Sequence, residues 1–166
     1  MLLRLLSLVG LISLSQLSFT QQSGTGRPRA PETCLGTKSS GRPFVAPSPY
    51  PAKAPIGGFW FGSDRLWTIL RSDATWPRSE KTFWWRQDWL VYRSGIPEKE
   101  ASKLTVTARR LDIPAPPAKV SRGLDGYRED WKSFLVGSID FPTPGCWEIS
   151  AHYEDDELTF VVWVAK

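Results

Sequence analysis

Few side chains in this sequence can carry chemistry. The 166 residues hold two cysteines, one histidine and one methionine, and the methionine is Met1. Cys146 and His152 fall together in TPGCWEISAHY (143–153), beside Trp147 and Glu148. A blue-copper site takes two His, one Cys and usually a weak Met ligand, so this inventory excludes it. A structural zinc site takes four Cys or His ligands, and only three are present. Catalytic zinc would have to recruit nearly all of them or add carboxylates. For nucleophilic catalysis His152 could serve Ser150, but residues two apart on one strand face stand about 7 Å apart, beyond hydrogen-bond reach. The sequence has no GxSxG turn. The acidic run YEDDEL (153–158) reads as a tight hairpin turn, because Ca²⁺ takes roughly six to eight converging oxygens and one short turn can aim few of them. A glycosidase-type carboxylate pair stays open, with seventeen acids available and no pair marked by its surroundings. No catalytic residue, metal or cofactor is expected.

These residues must be positioned by short strands. From Gly57 onward, period-two alternation recurs between Gly, Pro and Asp punctuation. It marks strands at 59–62, 66–70, 81–87, 89–93, 103–111, 134–141, 146–153 and 157–165. GLDGYREDWKSF (123–134) spaces Tyr127, Trp131 and Phe134 at helical intervals, but its early glycines favour a short helical turn or a loop. Seven or eight short strands without intervening helices predict an all-β fold, an antiparallel β-sandwich, with a small closed barrel as the alternative. Parity assigns the core. Leu104, Val106 and Ala108 share one face, as do Trp147, Ile149, Ala151 and Tyr153, and Leu158, Phe160, Val162 and Val164. Trp163 is left on the outer surface or packed under the Pro-rich segment that precedes the strands.

The chain ahead of the strands divides in two. Residues 1–20 read as a secretory signal: Arg4, then an apolar run at 5–14, then small and polar residues, too short for the roughly 20 residues of a membrane span. No integral membrane segment is expected after its removal. Residues 21–56 carry seven of the fourteen prolines and few large apolar side chains, and read as a flexible Pro/Gly/Ser-rich leader. The β-sandwich domain then occupies 57–166. The net charge of +4 becomes +3 when Arg4 leaves with the signal, and the basic residues are scattered among acids. Nucleic acid is therefore not an expected partner, despite an isoelectric point near 9.2.

An exported chain with two cysteines is expected to form a disulfide. On the parity of its strand, Cys146 points away from the apolar face with Glu148, Ser150 and His152, so it cannot make the central inter-sheet bridge of antibody domains. Its only intramolecular partner is Cys34, and the bond would pin the leader across the outer face of that strand. Closing so long a loop stabilises by roughly 4 to 5 kcal/mol in the chain-entropy model.

Aromatic density is the strongest remaining signal. All nine tryptophans follow Gly57. In KTFWWRQDWLVYR, Trp84, Arg86, Asp88, Leu90 and Tyr92 share one parity, and Phe83, Trp85, Gln87, Trp89 and Val91 the other. A continuous strand would carry tryptophan on both faces and could expose an aromatic platform at Trp84 or Trp85, flanked by Arg86 and Asp88, for sugar rings or peptide side chains. A break at Gln87–Asp88 would instead send most of these rings into the core or against the leader.

Four stretches, FGSDRLWTIL, KTFWWR, KLTVTARRLDIPAPP and FPTPGCWEISAHYEDDELTFVVWV, together resemble an uncharacterised family of exported bacterial proteins, over most of residues 59–164. The last is the most specific. The resemblance implies an export signal and an immunoglobulin-like β-sandwich, and carries no activity or catalytic residue. The expectation is a secreted or envelope-associated, non-catalytic module, in the periplasm or at the cell surface, that binds an envelope glycan or protein. A small extracytoplasmic hydrolase with a carboxylate pair is the alternative, and a purely structural envelope accessory a third reading.

Overall fold

The computed structural model describes residues 29–76, 85–93, 103–129 and 132–166, with the backbone path alone at 56, 85–93, 122–125, 128, 132, 133 and 136. The fold is all-β. After a three-residue 3-10 turn, Pro55–Gly57, the described strands are β1 (Gly58–Gly62), β2 (Leu66–Arg71), β3 (Thr75–Trp76), β4 (Trp85–Arg93), β5 (Leu104–Arg110), β6 (Lys119–Arg128), β7 (Lys132–Phe141), β8 (Gly145–Tyr153) and β9 (Asp156–Val164). They form a five-stranded sheet in the order β1-β2-β4-β7-β6 and a four-stranded sheet in the order β3-β9-β8-β5.

The alternating residues meet as their parity requires. Trp147, Ile149, Ala151 and Tyr153 of β8 are buried, as are Leu158, Phe160, Val162 and Val164 of β9. They share one core with Leu66 and Leu70 of β2 and Leu135, Ile139 and Phe141 of β7, so both sheets contribute to a single apolar cluster. Phe160 is central to it, stacked on Trp76 and edge-on to Phe61 across the sheets. Burying a ring of that size contributes on the order of 2 to 3 kcal/mol.

Three elements differ from their sequence reading. In GLDGYREDWKSF, residues 123–128 and 132–134 lie in β6 and β7, paired antiparallel with Gly126 opposite Phe134, and Glu129 begins the turn after β6. The helical spacing is coincidental, since Tyr127 is exposed and Phe134 buried on facing strands. Glycine is needed at 126, where a Cβ would lie 2.3 Å from the Phe134 ring. The strand is also irregular, with a register shift between Ser121 and Leu124 that hides its alternation. The two-residue β3 pairs parallel with β9, Thr75 opposite Trp163, so the sheets are not purely antiparallel. Finally, β4 is one strand through Gln87 and Asp88, without the break at that point.

Residues 29–54 form no strand, yet they pack. Ala46 is buried with Trp60, Trp67 and Phe134, flanked by Phe44 and Tyr50, in a second cluster. Trp67 meets the Phe44 ring at 5.9 Å and the Tyr50 ring, edge-on, at 5.0 Å. The indole N–H of Trp60 donates to the Pro51 carbonyl at 2.9 Å. Burial raises the Tyr50 phenol above its ordinary pKa.

Candidate binding groove

Cys34 and Cys146, at a sequence separation of 112, are joined by a disulfide with Cα atoms 5.5 Å apart. Cys146 lies on β8 opposite the parity of Trp147 and Ile149, so the bond fastens the leader outside the core. A second tie follows within three residues. Thr37 N–H donates to the Val161 carbonyl at 2.8 Å, and Val161 N–H donates to Thr37 Oγ1 at 2.9 Å. Next to it, Trp163 N–H donates to the Ala74 carbonyl, and Gly36 lies so close to Ala74 that a Cβ there would meet the Ala74 methyl at 2.5 Å. The outer edge of β9 is thus closed in part by the leader and in part by the entry into β3, which protects backbone groups that could otherwise pair with another chain.

Beyond Thr37 the leader crosses to the edge of the other sheet. Between residues 38–44 and β1 it leaves a groove of about 200 Å³, walled by Lys38, Arg42 and Phe44 on one side and Phe59, Phe61 and Gly62 on the other. Lys38 and Arg42 are exposed, and among the described residues neither meets a carboxylate. The wall is shaped by a tight turn in which Ser40 Oγ donates to the Arg42 carbonyl at 2.6 Å. Chemically the groove offers two cations, hydroxyls and ring edges.

The other side chains singled out by sequence are dispersed. Trp84 lies outside the described residues. Trp85, Arg86 and Asp88 occupy β4, an interior strand, opposite Phe141, Asp140 and Ser138 of β7; nothing in the described structure joins them to the groove. Ser150 shares a hydrogen bond with Thr159 at 2.8 Å across the β8–β9 pair. His152 is exposed, with Nε2 3.8 Å from Glu157 Oε1. In the acidic turn Glu154 pairs with Lys103 at 2.9 Å and Asp156 with Arg65 at 2.8 Å, ion pairs and not a converging oxygen cage. Among the described residues no group of three or more His, Cys, Asp or Glu could hold a metal ion.

Arg110 organises the end of the β5–β8 pair. Its guanidinium grips Asp112 with two bonds at 2.6 and 3.0 Å and donates to Thr143 Oγ1 at 2.7 Å. The hydrogen bond from Arg110 holds the Asp112 carboxyl below the usual range. The Trp147 indole donates to the Thr143 carbonyl at 3.1 Å, so this knot also orients a core tryptophan.

Sequence reasoning missed the groove because its cationic wall lies in KSSGRPF (38–44), a run whose composition signals only a turn-rich leader. The available signal was Lys38 and Arg42 flanking serines with no acid nearby in sequence. Comparison with protein-family models, with curated proteins and with solved structures finds no match to this chain.

Proposed function

We propose that this chain is a secreted or envelope-associated, non-catalytic binding module built on an immunoglobulin-like β-sandwich. The observation that carries the reading is the groove beside β1, where Lys38 and Arg42, on a segment fastened by a disulfide and without a carboxylate partner among the described residues, face the aromatic edges of β1. The disulfide and the lack of any described helix long and apolar enough to cross a membrane are compatible with an extracytoplasmic location. Two sheets with a common core and a terminal β8–β9 hairpin support the sandwich form, as does the resemblance to exported bacterial proteins. A carboxylate-pair hydrolase would need two acids about 5 to 10 Å apart across one cleft. The walls of this groove contribute cations and no acid.

The test is a binding survey of the purified, disulfide-bonded protein against immobilised acidic and neutral glycans and peptides. Saturable binding to one class, with no turnover of the bound material, is the expected result. Cleavage of a glycan or peptide by the protein would reject the non-catalytic reading.

A further inference from the structure

We infer that the groove receives the free C-terminus of a partner polypeptide ending in an apolar residue, with the terminal carboxylate on Lys38 and Arg42 and the last side chain against Phe44, Phe59 and Phe61. The inference rests on the binding reading above and names its ligand class. Charge selects a carboxylate. Arg65, Lys103, Arg109 and Arg110 each hold one at 2.6 to 2.9 Å, whereas Lys38 and Arg42, both exposed in the wall of one groove, hold none among the described residues. Two cations on one side of a small site match the two oxygens of a carboxylate. Among the described residues no acid lines the groove to repel it.

The cationic wall is held at both ends before any ligand arrives. Lys38 follows Thr37, which is tied to Val161, and Arg42 stands two residues before Phe44, whose ring meets Trp67 at 5.9 Å. Such preorganisation lowers the ordering cost of binding. Size selects a chain end. The groove, at about 200 Å³, lies below the roughly 300 to 1,000 Å³ of a pocket for a drug-sized ligand, so it suits one terminal residue and not a run of sugars. The rings select an apolar side chain. Phe61 is edge-on to Phe160 at 6.3 Å and Phe59 packs on the same core, so these half-buried side chains offer an apolar surface of small area. Sugar rings stack on flat aromatic faces, and the tryptophan of this groove, Trp60, is only 3% exposed.

The experiment uses the full disulfide-bonded protein and a pentapeptide of glycine and serine ending in leucine, fluorescein-labelled at its N-terminus and with a free C-terminal carboxylate. The same peptide as its C-terminal amide, a version ending in serine, and polygalacturonate serve as comparison ligands. The free acid is expected to bind at least about tenfold more tightly than the amide, because only the acid brings a charge to Lys38 and Arg42. Replacing the terminal leucine by serine is expected to weaken binding at least about tenfold, through loss of the apolar contact. The double variant Lys38→Glu with Arg42→Glu is expected to abolish the preference for acid over amide without changing thermal unfolding, since both side chains are exposed. No binding of the free acid, equal affinity of acid and amide, equal affinity of the leucine and serine peptides, or a preference for the acid that survives in the double variant each overturns the inference. If polygalacturonate or another ligand of the survey binds instead, only the chain-end inference fails. If nothing in the survey binds, the binding reading fails with it.

Discussion

Gly145 shows how one residue holds a corner of the molecule. Its φ of +150° is a region that side chains disfavour, and a Cβ there would stand 2.4 Å from Arg110 Nε. Gly145→Ala should therefore cost about 1 to 3 kcal/mol in chemical denaturation, through backbone strain together with displacement of the guanidinium from Asp112 and Thr143. Asp112 makes the same corner acid-sensitive. Its carboxyl is held low mainly by the hydrogen bond from Arg110. A depressed acid contributes its stability fully above the unfolded value, near 3.9, and loses it as the pH falls through the lower folded value. Asp73 behaves in the same direction: burial opposes ionisation, but hydrogen bonds from Thr75 and the charge of Arg71 outweigh it. Urea midpoints measured from pH 7 to pH 2 should fall in acid for the wild type, and Asp112→Asn should flatten part of that fall. An identical acid limb in the variant would remove Arg110–Asp112 from the account.

The leader is the element whose role composition obscures most. Its described residues 29–54 form no strand, yet three ties dock it: the Cys34–Cys146 bond, the Thr37–Val161 pair of hydrogen bonds, and the rings of Phe44 and Tyr50 on Trp67. Thr37→Ala should cost about 1 kcal/mol, because it removes the acceptor for Val161 N–H, and Thr37→Ser should recover most of that loss. Equal stability of the alanine and serine variants would mean that water replaces Oγ1 at no cost. Cys34→Ser is expected to lower stability by about 2 to 5 kcal/mol. It should also speed proteolysis within residues 29–44, as read by mass spectrometry of the fragments. Part of this was legible: the parity of Cys146 follows from alternation within β8, and a chain with only two cysteines left Cys34 as its partner. The docking of Thr37 was not legible, because a polar residue in a turn-rich run carries no mark of the distant strand edge it will meet.

Across the whole molecule the two sheets depend on one core. Phe160 reaches Phe61 of one sheet and Trp76 of its own, and Phe141 meets both Trp76 and Trp147. Phe160→Ala should therefore cost about 3 to 5 kcal/mol. Unfolding of the wild type should remain a single transition, with tryptophan fluorescence and far-ultraviolet circular dichroism coinciding. Separate transitions for the two probes would show that the sheets are stabilised independently. The same scale decides the candidate site. Aromatic crowding in the sequence points to β4, an interior strand, whereas the groove lies at the sheet margin, between an edge strand and a segment that looked like a tether.

By itself the sequence determined the class of the fold, the inward face of β5, β8 and β9, the acidic hairpin and the disulfide pairing. Each follows from local alternation, from turn chemistry or from having only two cysteines to join. The β6–β7 hairpin was decided elsewhere, by Gly126 making room for Phe134 and by a register shift that breaks the period-two signal. The parallel β3, only two residues long, has no period at all and exists because β9 offers it an edge. The groove too is a product of tertiary structure. Its walls lie about twenty residues apart in sequence, and the ties at Cys34 and Thr37 together with the Phe44 and Tyr50 rings on Trp67 bring Lys38 and Arg42 alongside β1.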